Sequence, residues 1–245
     1  RKLKSWAKPH NVTPALINFP SKDYIIYEPF GKVLVISPWN YPFQLALLPA
    51  MSAFAAGNNV VLKPSEHTPN TSSLIKKIVE KVFLSELMCV VEGDAKIASQ
   101  LLEKKWDYIF FTGSVNIGEI VAVSAAKNLT PYTLELGGKS PAIIDRDTDL
   151  KLVSKRIVWG KFLNSGQTCV APDYLIVHKS IKGKLIKELI DRIELTFDKN
   201  FDNTSDITAI VNEKNFNRLT DLIKENIIIY GGKSDRENRY IFPTI

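Results

Sequence analysis

Few residues of this sequence can crosslink the chain or bind a metal ion. Its 245 residues include two cysteines, which are far apart in sequence, and three histidines, which are far apart from one another. Two cysteines without a Cys-x-x-Cys motif exclude a disulfide framework and a structural zinc site, and three dispersed histidines argue against a histidine-rich metal site. We therefore expect no bound metal and a reducing compartment, the cytoplasm, as the location of the protein.

Long hydrophobic runs and clusters of like charge are also missing. The longest apolar run, residues 45–56, contains Pro49 and Ser52. A membrane-spanning helix needs about 20 apolar residues, so the sequence predicts no membrane span, and the run lacks the flanks of a signal peptide. Lysine and arginine number 32 against 26 aspartates and glutamates, a net charge of +6. Because the basic residues are scattered, we expect no nucleic-acid surface.

Short β-branched runs alternate with helical patterns along most of the chain. We predict strands over residues 32–37, 59–63, 88–91, 108–111, 132–136, 141–144, 174–177, 227–230 and 240–242. We predict helices over residues 43–56, 71–82, 95–104, 119–127, 150–162, 181–195 and 212–224. This order predicts right-handed βαβ units around a mostly parallel sheet, and therefore an α/β fold. The paired glycines Gly137 and Gly138 free the backbone, so we expect the domain boundary there.

A glycine-containing turn follows the predicted strand over residues 108–111. The segment Gly113-Ser114-Val115-Asn116-Ile117-Gly118 leads into a helix, and N–H groups at a helix N-terminus favour an anionic phosphate. The spacing begins like a P-loop, but Glu119 and Ile120 stand where that motif needs Lys and Ser or Thr, which excludes a nucleoside triphosphatase. A phosphate site and an ordinary strand–helix turn both stay open.

The two cysteines differ in their surroundings. Cys169 lies among small and polar residues, in Asn164-Ser165-Gly166-Gln167-Thr168-Cys169-Val170-Ala171-Pro172. An accessible loop cysteine can ionise and act as a nucleophile, whereas most lone cysteines are inert core residues, and both alternatives stay open for Cys169. Cys89 lies inside an apolar run and is expected to be inert. A Cys–His hydrolase would need a histidine base, and His178 follows Cys169 too closely along a strand.

Polar side chains lie at or near several predicted strand ends. Glu135, flanked by leucines, is either a partly buried general base with a raised pKa or an exposed strand-edge residue. Asn40 follows a strand at the end where ligands gather in open α/β sheets, and it is either an oxyanion donor or a turn residue. Lys63 and Glu66 either hold the two hydroxyls of a ribose or form a surface turn.

Five motifs occur in an order that resembles the aldehyde dehydrogenase superfamily. They are Pro38-Trp39-Asn40-Tyr41-Pro42-Phe43, residues 55–66 (AAGNNVVLKPSE), Phe111-Thr112-Gly113-Ser114, residues 134–141 (LELGGKSP) and Gly166-Gln167-Thr168-Cys169. Residues 159–162 and 170–174 are most similar to the class 3 and fatty-aldehyde branch. The resemblance extends from about Tyr27 to the last residue.

The resemblance implies roles for individual residues. Cys169 is expected to be the nucleophile, Glu135 the general base, and Asn40, with the backbone N–H of Cys169, the oxyanion hole. The cofactor, NAD or NADP, is expected to contact Ile36, Ser37, Pro38, Trp39, Lys63, Ser65, Glu66, Gly113, Ser114, Val115, Asn116, Ile117 and Gly118. Val115 and Glu119 depart from the Thr and the Lys or Arg that the family often has, which affects dinucleotide contacts and not the chemistry at Cys169.

The resemblance also implies an architecture and an activity. We expect a Rossmann-like NAD(P)-binding domain over residues 1–136, and a second α/β domain, catalytic and incomplete, over residues 137–245. The expected reaction oxidises an aldehyde to a carboxylate through a cysteine thiohemiacetal and thioester, in a protein that is a homodimer at full length. The alternatives are a cysteine esterase or transferase without a dinucleotide, and a non-catalytic fragment or paralogue.

We also expect these residues to be part of a longer enzyme that is weakly active without the rest. The apolar, strand-like run over residues 240–245 would leave an open edge, which proteins usually cover. The later Glu-x-Phe-Gly-Pro motif of the family, whose Glu holds the nicotinamide ribose, has no counterpart here.

Overall fold

The computed structural model describes residues 2–197 and 207–245 and divides into two compact units, Arg1–Glu135 and Leu136–Ile245. The division lies beside the paired glycines Gly137 and Gly138, where we expect the domain boundary. Each unit has its own hydrophobic core. The cofactor-binding and catalytic roles of the two domains stay predictions.

The first unit begins with a small exposed hairpin for which the sequence gives no signal. Helix α1 (Leu3–Trp6) precedes strand β1 (His10–Val12), which pairs antiparallel with β2 (Asp23–Ile25). Both strands are three residues long and largely exposed. Neither therefore shows the apolar run by which a strand is recognised in a sequence.

Strands and helices alternate through the rest of the first unit. The elements are β3 (Lys32–Ile36), α2 (Gln44–Ala55), β4 (Asn59–Lys63), α3 (Pro69–Val82), β5 (Met88–Val90), α4 (Ala95–Leu102), β6 (Tyr108–Gly113), α5 (Val115–Lys127) and β7 (Tyr132–Leu136). Every strand and helix predicted between residues 32 and 136 is present; β4 and β7 have the predicted ends, and the other elements are shifted at one or both ends. One shift affects the site, because α5 begins at Val115 and not at Glu119.

Strands β3 to β7 form one sheet in the order β5-β4-β3-β6-β7. Strand β3 pairs parallel with β4 and β6, and β4 pairs parallel with β5. Strand β3 is buried over residues 33–36, as expected for the central strand of a sheet that is covered on both faces. Leu62 of β4 shares one core cluster with Ile75 and Val79, which attaches α3 to the sheet.

Local signals set the ends of the helices. Asp94 caps α4 as predicted, and its carboxylate accepts hydrogen bonds from the N–H groups of Lys96 and Ile97. Pro69 lies in the first turn of α3. Backbone N–H groups in a first turn have no partner within the helix, so proline costs no hydrogen bond there. Gly57 follows α2 with a φ of +93°, a left-handed conformation that glycine adopts without steric cost.

The second unit is built on a two-stranded parallel sheet. Strand β8 (Ser140–Ile144) pairs with β9 (Pro172–Val177), and α6 (Leu150–Phe162) connects them. Then follow α7 (Lys182–Phe197), α8 (Glu213–Lys224) and a hairpin of β10 (Ser234–Asp235) and β11 (Tyr240–Ile241). The core includes Ile144 of β8, Val158 of α6, and Leu185, Leu189 and Ile193 of α7.

The strand predicted over residues 227–230 is wrong. Ile227 is 93% exposed, and none of these four residues is in a strand. Ile229 and Tyr230 donate their backbone N–H groups to the carbonyl of Ile245, and Ile245 donates back to Tyr230. Three isoleucines and a tyrosine have a high strand propensity, but a strand also needs a partner along its length.

The predicted α/β class is confirmed by the parallel sheets and the helices that connect their strands. No helix within residues 2–197 and 207–245 is long and apolar enough to cross a membrane. Over the same described ranges, no group of three or more His, Cys, Asp or Glu side chains is arranged to hold a metal ion.

Candidate functional site

The carboxyl ends of the central strands form the first candidate site. The chain passes from β3 outwards to β4 and β5 and then returns to β6 on the other side of β3. The strand order therefore reverses between β3 and β6, and ligands of open α/β sheets bind outside the strand ends at such a switch point. Ile36 lies in register with Lys63 and Phe111, so the residues that follow these strands lie along one edge.

Ser37 follows β3 at this edge and carries a candidate ligand group. It is 5% exposed, and its N–H donates to the carbonyl of Lys63 over 3.1 Å. Its Oγ has no hydrogen-bond partner among the described residues. A buried hydroxyl without a partner is costly, and a bound polar ligand would satisfy it. Ile36 before it is buried, and Pro38 and Trp39 after it are half-buried.

A buried lysine forms an ion pair at the end of β4. Lys63 is 3% exposed, and its Nζ donates to Oε2 of Glu66 over 2.7 Å. Partial burial raises the pKa of Glu66, but the hydrogen bonds from Lys63 and from its own backbone, with the charges of Lys63 and His67, outweigh this effect and lower that pKa. The carboxylate is therefore ionised at neutral pH. A buried lysine does not fit the alternative of a surface turn.

A cavity of about 170 Å³ adjoins the ion pair. Ser65 is fixed beside it, because its carbonyl accepts the hydroxyl of Ser72 over 2.8 Å and its own hydroxyl accepts the N–H of His67 over 3.2 Å. The cavity is lined by Pro64, Ser65, Glu66, Pro69, Ser72, Glu92 and Gly93. Pockets for whole drug-sized ligands measure about 300–1,000 Å³, so this one suits a part of a nucleotide.

The N-terminus of α5 lies after β6, and it corrects the predicted extent of the glycine turn. Gly113 ends β6 and Ser114 is the N-cap, so residues 115–118 form the first turn of the helix. The N–H of Gly118 already donates to the carbonyl of Ser114 over 2.9 Å. The side chains of residues 115–117 are exposed, so an anion can approach the positive end of the helix dipole from solvent.

These groups together suit a dinucleotide. A carboxylate and an ammonium can bond ribose hydroxyls, a helix N-terminus can accept a pyrophosphate, and the hydroxyl of Ser37 needs a partner. All of them belong to the first unit and follow neighbouring strands of its sheet. Their role in cofactor binding stays a prediction.

Asn40 lies three residues beyond Ser37 and is half-buried. Its Oδ1 accepts the N–H of Tyr41 over 3.1 Å within a bend of the backbone, so the side chain contributes to the local turn. The same bond fixes the orientation of the side-chain amide of Asn40. With Oδ1 held by the backbone, Nδ2 is the atom that can donate to an oxyanion. The turn role and the predicted oxyanion role are therefore compatible.

Glu135 is exposed, so of the two alternatives the exposed strand-edge residue fits the structure and the partly buried carboxylate does not. It lies on β7, the last strand in the order of the sheet, which has a neighbouring strand on one side only. Side chains on an edge strand have fewer neighbouring side chains around them than those on a central strand, and are therefore more exposed. Its exposure leaves the carboxylate in contact with water, which is the reactant that a general base would activate.

Cys169 is the exposed member of the two free cysteines, so the accessible-loop alternative holds for it. It lies in the second unit, on the loop between α6 and β9, whereas Asn40 and Glu135 belong to the first unit. Cys89 is half-buried in β5, and this burial raises the pKa of its thiol. A raised pKa keeps Cys89 protonated and unreactive at neutral pH.

The loop that carries Cys169 has a strained backbone. Asn164 and Ser165 both have a φ of +53°, and Gly166 has a φ of +74°. A left-handed conformation costs a non-glycine residue about 1–2 kcal/mol, and such residues persist only where their surroundings hold them. In the sequence, Gly166 alone is a clear signal for this conformation, so the extent of the strained segment was not predicted.

Three charged residues to which the resemblance assigns no role lie near the base of this loop. Lys139 and Asp173 form an ion pair over 3.4 Å. Lys161 is half-buried, and its burial lowers its pKa; the charge of Asp173 opposes this lowering and that of Lys139 adds to it. These residues come from three different elements, so their proximity has no signal in the sequence.

Comparisons with known proteins show the family to which the chain is similar. The model of the Aldehyde dehydrogenase family matches residues 8–245. The 4,4'-diaponeurosporen-aldehyde dehydrogenase of Staphylococcus aureus is 46% identical over 247 residues, which cover 100% of this chain and 54% of that protein. A dimeric, NADP-preferring aldehyde dehydrogenase of Mus musculus is 42% identical over 243 residues, which cover 99% of this chain and 54% of that protein.

A solved structure gives the same result for the fold. The substrate-bound state of Staphylococcus aureus AldH matches with a TM-score of 0.92 and 46% identity, over 99% of this chain and 54% of that chain. The expected fold, with a Rossmann-like domain and a second α/β domain, is therefore confirmed. The chain spans about half the length of the curated relatives it matches.

Proposed function

The chain belongs to the aldehyde dehydrogenase family, and we propose that the full-length protein oxidises an aldehyde to a carboxylate with NAD or NADP. One observation carries the proposal: Cys169 is an exposed, free thiol on a constrained loop of a chain that the family model matches over residues 8–245. A thiolate in such a position can attack an electrophilic carbon.

Cys169 is the nucleophile. Its sulfur forms a bond to the carbonyl carbon of the aldehyde, and the electron pair of the C=O bond moves to oxygen, which gives a thiohemiacetal with a negative oxygen. The amide Nδ2 of Asn40 and the backbone N–H of Cys169 donate hydrogen bonds to this oxyanion. Covalent attachment also fixes the carbon in one geometry, which free aldehyde hydrate lacks.

The cofactor is held at the edge of the first unit where the strand order reverses. The Lys63–Glu66 pair binds ribose hydroxyls, the hydroxyl of Ser37 gains its missing partner, and the N-terminus of α5 faces the pyrophosphate. The proposed contacts are Ile36, Ser37, Pro38, Trp39, Lys63, Ser65, Glu66, Gly113, Ser114, Val115, Asn116, Ile117 and Gly118. When bound, the nicotinamide supplies the acceptor for a hydride from the carbon attached to Cys169.

Glu135 completes the reaction as a general base. Loss of the hydride leaves a thioester on Cys169, and the carboxylate of Glu135 removes a proton from the water that attacks it. The new C–O bond forms while the C–S bond breaks, so the carboxylic acid leaves and the Cys169 thiolate returns. The family motif over residues 134–141, which contains Glu135, supports this role.

Two observations bear on the choice between NAD and NADP. The ionised carboxylate of Glu66 would repel a 2′-phosphate, and Lys63 donates to that carboxylate over 2.7 Å, which favours NAD. The mouse relative is described as NADP-preferring, which favours NADP. Both cofactors therefore belong in the assay. The same relative is described as dimeric, and we propose a homodimer for the full-length protein, which light scattering after gel filtration would measure.

The proposal is tested on the full natural polypeptide that contains these residues. A panel of aldehydes is incubated with NAD and with NADP, and the absorbance of the reduced cofactor is followed. We expect Cys169→Ala to lower turnover by about 10⁴-fold or more, because loss of a covalent nucleophile removes the pathway. Cys89→Ala is the matched control and should retain activity. Turnover by Cys169→Ala above about 3% of the wild-type rate would contradict the role of Cys169, because loss of a nucleophile should leave far less activity.

A cysteine esterase is the second candidate, because an exposed thiol needs no dinucleotide to attack an ester. Hydrolysis of an activated ester without NAD or NADP, and no reduction of either cofactor with any aldehyde, would favour it. A purely structural cysteine would give neither activity and would react slowly with iodoacetamide at pH 7.

A further inference from the structure

The side chain of Gln167 joins the loop of Cys169 to a second segment of the chain. Its Nε2 donates to the carbonyl oxygens of Asn164 and Ala209, each over 3.2 Å. Its Oε1 accepts the backbone N–H of Val211 over 3.0 Å. Both ends of this one amide therefore bond backbone groups, one within the loop and two in residues 209–211.

The segment that Gln167 contacts is fixed to the rest of the second unit. Ile207 and Ile210 are buried, at 7% and 2% exposure. Ile210 and Arg239 also bond each other, since the N–H of Ile210 donates to the carbonyl of Arg239 and Nε of Arg239 donates back to the carbonyl of Ile210. Residues 207–211 therefore form a fixed anchor for the loop.

A second bond ties the strained part of the loop to the same anchor. The hydroxyl of Ser165 donates to the carbonyl of Thr208 over 2.6 Å. Within residues 164–166, Ser165 has neither the flexibility of glycine nor the tolerance of asparagine for the left-handed conformation. The three consecutive left-handed residues are thus held by side-chain bonds at Ser165 and Gln167.

We infer that Gln167 is a positioning residue for Cys169, two residues further along the chain. The inference rests on the proposed function in one respect, which is that Cys169 is the nucleophile. Without the amide of Gln167, residues 164–166 lose bonds that hold a costly conformation, and they relax towards ordinary backbone angles. The relaxed loop then no longer holds Cys169 in the position that the bonds of Gln167 and Ser165 give it.

Two substitutions remove the bonds without changing the size of the side chain. Gln167→Met removes all three hydrogen bonds, and Gln167→Glu keeps an acceptor for Val211 but sets a second oxygen against the carbonyls of Asn164 and Ala209. Asp149→Ala is the matched control. This substitution removes the N-cap of α6 in the same unit, where the Asp149 carboxylate accepts the N–H groups of Lys151 and Leu152. Asp149 lies at the N-terminal end of α6, and the loop of Cys169 follows the other end of that helix.

Hydrogen exchange tests the tie directly and needs no enzymatic activity. The backbone N–H of Gln167 donates to the carbonyl of Asn164 over 3.1 Å, and the backbone N–H of Ala171 donates to the carbonyl of Thr168 over 3.2 Å. These two N–H groups therefore report the conformation of the loop. We expect both amides to exchange about tenfold faster or more in the two Gln167 variants, since each loses two or three bonds, and to be unchanged in Asp149→Ala.

Kinetics of the full-length protein then test positioning. We expect kcat to fall by about 10²-fold in Gln167→Met, because a small displacement of a nucleophile is costly, while the KM for the cofactor stays within about twofold of wild type. In a Cys89→Ser background, the rate at which iodoacetamide alkylates Cys169 should change by about fivefold or more, because the surroundings of the thiol change with the loop.

Several results would overturn the inference: unchanged exchange at Gln167 and Ala171, equal effects of Asp149→Ala, or faster exchange with kcat and alkylation unaltered. A parallel loss of kcat and cofactor affinity would also count against it, because it indicates general unfolding. If the wild-type protein oxidises no aldehyde, the proposed function fails, and the inference is then decided by exchange and alkylation of Cys169 alone.

Discussion

Replacement of Glu66 by Gln tests whether the Lys63–Glu66 ion pair at the end of β4 stabilises the folded chain. Lys63 is 3% exposed and Glu66 is 37% exposed, with 2.7 Å between Nζ and Oε2. Hydrogen bonds to charged groups contribute about 1.5–3 kcal/mol, and removing one partner of a fully buried pair costs about 3–5 kcal/mol.

The expected loss for Glu66→Gln is smaller than the value for a fully buried pair. Glu66 is partly exposed, so solvent screens its charge, and Gln retains an oxygen that accepts from Nζ. We therefore expect the free energy of unfolding to fall by about 1–2 kcal/mol at pH 7. Glu80→Gln is the matched control. Its pair with Lys76 spans 4.0 Å with both side chains exposed, so we expect a loss of at most about 0.5 kcal/mol.

The pH dependence of this loss has a definite sign. The pKa of Glu66 is lower in the folded chain than its usual 4.5, so the ionised form favours folding. The difference between wild type and Glu66→Gln should be complete above the unfolded-state pKa and should shrink as the pH falls through the folded-state pKa. Urea unfolding followed by circular dichroism at pH 7 and at steps below pH 4.5 measures it. Equal losses for Glu66→Gln and Glu80→Gln, or a difference independent of pH, would refute the reasoning.

Three further predictions concern the chemistry. Glu135→Gln should preserve a pre-steady-state burst of reduced cofactor while steady turnover falls by about 10²–10⁴-fold, as rapid-quench kinetics would show; loss of the burst would contradict a role confined to hydrolysis. Gly138→Ala should lower turnover by about tenfold or more, because its Cβ would lie 3.1 Å from the carbonyl oxygen of Cys169, whereas Gly137→Ala, with no described atom within 4 Å of its Cβ, should not. Cys89→Ala should cost about 1–2 kcal/mol in urea unfolding and leave turnover intact, and in wild type Cys89 should alkylate more slowly than Cys169 at pH 7, because burial raises its pKa.

The sheet of the first unit could be predicted because its central strands, β3 and β4, are mostly buried. Apolar β-branched runs such as residues 32–36 carry that burial in their composition, and Asp94 shows the start of a helix by its side chain. The exposed strands β1 and β2 carry no such signal. Residues 227–230 have the composition of a strand, but among the described residues their backbone bonds reach Ile245 alone and form no ladder, so propensity gave the wrong result there.

The candidate site could be predicted to the level of residues and not of geometry. Cys169 and the strand-end residues stand out by their motifs and spacing. The burial of Lys63, the strain over residues 164–166 and the bonds of Gln167 depend on segments far apart in sequence. The leucines that flank Glu135 left a partly buried and an exposed carboxylate both open, and the position of β7 at the end of the strand order decides for exposure.

Trapping the thioester tests the central claim, that Cys169 attaches covalently to the substrate carbon, most directly. Full-length protein carrying Glu135→Gln is mixed with hexanal and saturating NAD or NADP, quenched with acid, digested and examined by mass spectrometry. We expect a hexanoyl group on the peptide of Cys169, only when aldehyde and cofactor are both present, because hydride transfer must precede thioester formation. No adduct on Cys169, an adduct on Cys89 instead, or a hexanoyl group formed without cofactor would contradict the claim.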